Sequence, residues 1–113
     1  MDRSKVLLAL SALAHETRLD LVRLLMRSGD DGMAAGDIAR SLGLSASRLS
    51  FHLAAMEQAG LIRSRKAARN VIYCVDATGL GRTISYLLND CCMDHPEVVA
   101  ACACAGPRMV SAV

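Results

Sequence analysis

Two short helical patterns meeting at a glycine, followed at once by a switch to a strand-like pattern, limit what this chain can fold into more than any other feature. Ala35 to Leu42 carries apolar residues at helical spacing and stops at Gly43, a natural residue just past a helix end. Ser45 then caps a second stretch that runs to Ala59 and stops at Gly60, with Leu49, Leu53 and Met56 as its buried face. From Leu61 the pattern becomes strand-like: Leu61-Ile62, a basic polar run, then Val71-Ile72-Tyr73-Cys74-Val75, rich in β-branched residues. Two short helices joined by Leu42-Gly43-Leu44, then a basic two-stranded hairpin, make the arrangement of a winged helix-turn-helix.

The flanks read as further helices. Val6, Leu7, Leu10 and Leu13 recur at helical spacing, and His15-Glu16-Thr17 opens a second helix with Leu19, Val22, Leu25 and Met26 as its stripe. Two glycines and two aspartates within residues 28–32 form a loop. A long last helix follows the hairpin, with Leu80, Ile84, Leu87, Leu88 and Cys91 on one stripe, and Pro96 opens a further short helical segment. The expected fold is mainly α with a small β-hairpin. One winged-helix and dimerisation domain covers residues 1–93, and a cysteine-containing tail covers 94–113. At 113 residues a monomer hides only about two-thirds of its unfolded surface. With 53% apolar residues, one Phe and no Trp, the core is aliphatic and in excess, which predicts a homodimer.

Asp2-Arg3-Ser4-Lys5 ahead of an apolar run ending Ala12-Leu13-Ala14 superficially resembles an export signal. The next residues continue directly as an amphipathic helix, and cleavage would strip a helix that a small core needs. No apolar run approaches the length of a membrane span. The expected location is therefore cytoplasmic, without a membrane partner. In that reducing compartment, dense thiols mean metal or redox chemistry rather than structural disulfides.

The net charge of +2 is mild, but the positive charge is clustered. The candidate reading helix begins with Ser45, Ser47, Arg48 and Ser50-Phe51-His52: short hydroxyls that approach a major groove closely, and an arginine able to fork onto a guanine. The hairpin carries Arg63, Arg65, Lys66 and Arg69, of which Arg65, Lys66 and Arg69 are the expected phosphate contacts. A basic tip alone is usually only a solvated face. Helix-turn-helix, exposed hydroxyls and clustered cations together point to double-stranded DNA as partner. No paired carboxylates, Ser-His-Asp set or phosphate loop supplies a catalytic constellation, so no enzyme is expected.

Four of the five cysteines, Cys91, Cys92, Cys102 and Cys104, fall in the last quarter of the chain. Thiolates at this density compete well for soft ions. Zinc and cadmium prefer four ligands in a tetrahedron, and four sulfurs are present, so their number alone does not discriminate. On a helix Cys91 and Cys92 point about 100° apart, so both reach one ion only if the helix end loosens. Cys102 and Cys104 point to different helix faces, so at most one joins unless the tail unwinds. Three sulfurs are easier to gather than four. Cys74, in a strand, is expected to pack, and His95 is a borderline zinc ligand or a solvated loop residue.

The residues resemble the ArsR-type arsenic- and metal-responsive winged-helix repressors across roughly residues 10 to 90. The carriers are Ala12-Leu13-Ala14-His15-Glu16-Thr17-Arg18-Leu19, Asp37-Ile38-Ala39, Leu42 to Ser45, Leu49-Ser50-Phe51-His52-Leu53, Ala59-Gly60-Leu61-Ile62 and Tyr73. The resemblance implies a homodimer built from the first and last helices. It would bind an inverted repeat in its own promoter, repress when ligand-free and leave when an inducer binds. It also implies arsenite or antimonite as inducer, held by three sulfurs in a trigonal pyramid. Relatives with a Cys-Cys pair ending the last helix and another Cys shortly after point the same way. The chain departs from the pattern in three places. The wing-turn glycine of many relatives is replaced near Ala68, with Asn70 expected to take the left-handed position. The paired cysteines before the recognition helix are absent, as is the carboxylate-and-histidine zinc set of the last helix. The expected function is a repressor released by trivalent arsenic or antimony at Cys91, Cys92, Cys102 and Cys104. Alternatives are the same repressor answering zinc, cadmium or thiol oxidation, and a thiol metal carrier that does not bind DNA.

Overall fold

A computed structural model describes residues 2–103. Helix α1 (Arg3–Leu13) starts where Asp2 accepts the Lys5 N–H at 2.9 Å, and α2 (Glu16–Ser28) follows after a sharp turn. A 3₁₀ turn (Gly29–Asp31) leads to a two-residue strand β1 (Met33–Ala34), then α3 (Ala35–Leu42) and α4 (Ala46–Gln58). Strands β2 (Ile62–Ala67) and β3 (Asn70–Val75) form the wing, α5 (Ala77–Tyr86) closes the body, and α6 (Pro96–Ala103) comes last.

Leu21 and Leu25 of α2, Ile38 of α3, Leu49 and Met56 of α4, and Leu61 and Ile62 at the wing base make the centre of the core. Helix α1 joins it through Ala9 and Ala12, with Leu13 packed alongside; of the expected stripe Val6 is buried, Leu10 and Leu13 are half-buried and Leu7 is exposed. The alanines let α1 lie close, and Leu7 and Leu8 face solvent. Leu19 and Met26 likewise face outward, because α2 points Leu21 and Leu25 inward.

The hairpin is part of a three-stranded antiparallel sheet in the order β1-β3-β2. The unexpected strand pairs Met33 with Tyr73 and Ala34 with Ile72. Gly32 makes the approach possible: its φ is +71°, and a Cβ there would sit 2.5 Å from the Tyr73 carbonyl oxygen. In the wing, Ile62 pairs with Val75 and Ala67 with Asn70, leaving Ala68 and Arg69 as the turn. Ala68, with φ +57°, takes the left-handed position expected of Asn70. The register places Asn70 one residue too late for that role, as the first residue of β3, paired with Ala67.

Helix α5 packs against α1 but buries only Thr83; Ile84 is exposed and Leu80, Leu87 and Leu88 are half-buried. The expected long helix does not run uniformly to Cys91. After Tyr86 it widens into a π-helical turn (Leu87–Cys91), and Cys92 leaves helical geometry. Met93 and Asp94 then take left-handed φ values of +51° and +54°, which break the helix ahead of α6. Among the described residues no helix is long and apolar enough to cross a membrane.

Candidate nucleic-acid interface

Gly43, left-handed at φ +67°, turns the chain between α3 and α4. Ser45 caps α4 by accepting the Arg48 N–H at 3.3 Å, and its Oγ lies 3.5 Å from that of Ser47. With Leu49, Leu53 and Met56 directed into the core, Ser47, Arg48, Ser50, Phe51 and Ala54 are left exposed. Ser45, Ser47, Arg48 and Ser50 are therefore brought together at the exposed start of the helix.

His52 is a correction to the expected base-facing set. Only 4% exposed, it turns inward and accepts a 3.1 Å hydrogen bond at Nδ1 from Arg18 Nε. Its ring meets that of His15 edge-on, with centroids 4.8 Å apart. Arg18 also donates to the Ala12 carbonyl at 3.4 Å and sets its guanidinium 5.6 Å from the Phe51 ring centroid. One arginine thus ties the start of α2 to the recognition helix. Burial, then the neighbouring His15, Arg18 and Arg48, lowers the His52 pKa from its ordinary 6.5. The neutral ring is the form this joint uses, since a protonated Nδ1 cannot accept.

The wing cations differ in what they hold. Arg65 Nη2 donates to the Asp31 carbonyl at 2.9 Å, pinning the wing to the 3₁₀ turn. Ser64 Oγ donates to Glu57 Oε2 at 2.7 Å and fixes the wing to α4. Lys66 and Arg69 are exposed near the tip, and among the described residues no ion pair neutralises either. Phe51, expected among the residues at the start of the reading helix, is exposed there beside Ser47 and Ala54. The 3.6-residue period aligns these three on one face.

The thiols form a separate group. Cys91 ends the π-helical turn, and Cys92 follows it. The Cys92 pKa is pushed above its ordinary value by burial, then by the charge of Cys91, a hydrogen bond with Cys91 and the charge of Cys102. Cys102 lies on α6, exposed. Cys104 lies outside the described residues. Among the described residues no three His, Cys, Asp or Glu side chains stand as a ready metal site. Cys74 is buried in β3, and His95 Nδ1 accepts the Glu97 N–H at 3.2 Å near the start of α6.

A capped recognition helix, a braced wing and unpaired cations at its tip define a winged helix-turn-helix DNA-binding protein. Residues 13–65 match the helix-turn-helix domain family. The chain is 40% identical over 83 residues to the HTH-type transcriptional regulator YgaV of Escherichia coli, covering 74% of this chain and 82% of YgaV. It is 34% identical over 86 residues to the transcriptional activator HlyU of Vibrio cholerae, covering 76% and 77% of the two. The structure of reduced HlyU aligns with a TM-score of 0.61 at 34% identity, over 75% of this chain and 86% of that one. That of a possible transcriptional regulator for arsenical resistance aligns at 0.63 and 33% identity, over 70% and 79%. The chain belongs to the ArsR family of winged-helix transcriptional regulators.

Proposed function

We propose that this regulator is a cytoplasmic, homodimeric repressor that leaves an inverted-repeat operator when trivalent arsenic or antimony binds its C-terminal thiolates. The observation that carries the reading is the loosened helix end at the adjacent thiols. Cys91 closes the π-helical turn and Cys92 follows it outside helical geometry, so the two adjacent thiols are not held at helical spacing, and Cys102 lies on the next element, α6. Three thiols suit a trigonal pyramid. Arsenous acid exchanges its three hydroxyls for three sulfurs and releases three waters, with no change of oxidation state. The likeness to a possible regulator for arsenical resistance supports the same inducer.

The exposed apolar surface supports the dimer: Leu7 and Leu8 on α1, and Ile84 on the adjoining α5. The thiols sit on the continuation of α5. Drawing Cys102 onto the pair changes the end of a helix that the proposed dimer uses, and so the spacing of the two recognition helices. Coupling of this kind is typically about 1–3 kcal/mol and reciprocal.

Oxidation is a second reading, favoured by the exposure of Cys91 beside a bonded thiol. Arsenite, antimonite, cadmium, zinc and peroxide are titrated in turn against the full chain bound to its own promoter duplex. Arsenite and antimonite should release it, and the double variant Cys91→Ser/Cys92→Ser should stay bound. Release by peroxide alone selects oxidation, release by zinc or cadmium alone selects a divalent sensor, and absence of DNA binding refutes the repressor. Solution scattering at micromolar concentration should give a dimer, and a monomer would refute that part.

A further inference from the structure

Phe51 is the one phenylalanine in the chain, and it is 66% exposed. It stands three residues after Arg48 on α4, and Ser47, Arg48 and Phe51 share one shallow crevice with His15 and His52. That crevice includes no residue of α5, where the proposed dimer surface lies. Arg18, already held by His52 Nδ1 and the Ala12 carbonyl, sets its guanidinium over the ring. The ring is therefore backed on one side by Arg18 and His52 while its outer side stays open, among residues that suit DNA rather than a core.

We infer that Phe51 is a specificity-determining residue whose ring packs on the 5-methyl group of a thymine in the operator's major groove. The inference rests on the DNA-binding reading of α4 and names what that helix recognises. Thymine is the base that presents an apolar group in the major groove, and apolar side chains read it by contact. Three residues of helix rise about 4.5 Å, close to one base-pair step, so the thymine lies next to the base pair that Arg48 contacts. Arg18 is a positioning residue: it limits the ring's freedom without touching DNA itself.

The test uses the full chain and a duplex that it selects from a randomised pool. Each thymine is replaced singly by deoxyuridine, which removes only the methyl group and leaves every Watson–Crick hydrogen bond. At one thymine per half-site the substitution should weaken wild-type binding about fivefold, the scale of one buried methyl contact. Phe51→Ala should weaken binding to the thymine duplex by a similar factor and become indifferent to that same replacement, whereas Phe51→Leu should keep part of the discrimination. Wild-type protein that selects a sequence but is blind to every deoxyuridine overturns the inference and leaves the DNA-binding reading intact. Protein that selects no sequence overturns both. Deoxyuridine sensitivity that persists unchanged in Phe51→Ala assigns the methyl contact elsewhere and also overturns it.

Discussion

Arg18 Nε donates to His52 Nδ1 across 3.1 Å, joining two helices through residues that stand 34 positions apart. The joint needs a neutral imidazole, and burial first, then its neighbours His15, Arg18 and Arg48, disfavour a proton there. The native pKa of His52 is below the ordinary 6.5, so the unfolded chain takes up its proton first as the pH falls. The stability contributed by this joint is complete above about pH 6.5 and is lost as the pH falls through the native pKa. His52→Gln keeps an acceptor and removes the titration. Urea unfolding at pH 7.5 and 5.5 should show wild type losing more stability than His52→Gln on acidification. Equal losses in the two proteins would refute the role given to the joint.

Ala68 holds a left-handed φ of +57° at the first of two turn residues in the wing, where glycine fits without strain. Ala68→Gly should therefore raise stability by about 0.5–1 kcal/mol, the relief of strain exceeding the extra freedom of the unfolded chain. A lower urea midpoint for the variant would contradict this.

Lys66 and Arg69 carry no intramolecular ion pair among the described residues, whereas Arg65 holds the Asp31 carbonyl. Lys66→Ala and Arg69→Ala should each flatten the salt dependence of DNA binding by about one unit while leaving the thermal midpoint near wild type. Arg65→Ala should lower the thermal midpoint as well, because the wing loses its brace to the 3₁₀ turn. A full unit of salt slope lost with no change in stability would show that Arg65 is only a phosphate contact.

Local signals were legible in the chain. Gly43 and Gly60 end helices because their neighbours cannot easily adopt the backbone they adopt, and Ser45 caps because its hydroxyl reaches back to the next turn. What stayed hidden was set by contacts distant in sequence. Leucines dominate the hydropathy of α1, yet the helix packs on Ala9 and Ala12 because only small residues let it come close. His52 sits within the motif that marks the recognition helix, and nothing in that motif reveals Arg18 pulling it inward. Strand β1 is two residues long and follows glycines and aspartates, so only its pairing with β3 makes it a strand. The apolar period of α5 continues through Leu87, Leu88 and Cys91, which concealed the widening of the helix there.

That widening gives the thiol cluster its most discriminating test. Cys102 lies on α6 and needs a shorter fold-back along the chain than Cys104 to meet the pair, so it is the expected source of a third sulfur. Cys102→Ser should bind the operator as wild type does and lose release by arsenite, whereas Cys104→Ser should keep it. The Cys92 pKa stands above the ordinary thiol value, so its thiolate fraction at neutral pH is small and arsenite capture should accelerate as the pH rises towards that pKa. Cys91→Ser removes a neighbouring charge and a hydrogen bond that both favour the protonated Cys92 thiol. It should therefore shift the pH dependence of iodoacetamide alkylation at Cys92 to lower pH. Release lost in Cys104→Ser but retained in Cys102→Ser would move the third sulfur to the end of the chain. An unshifted alkylation profile in Cys91→Ser would break the pairing of the two adjacent thiols.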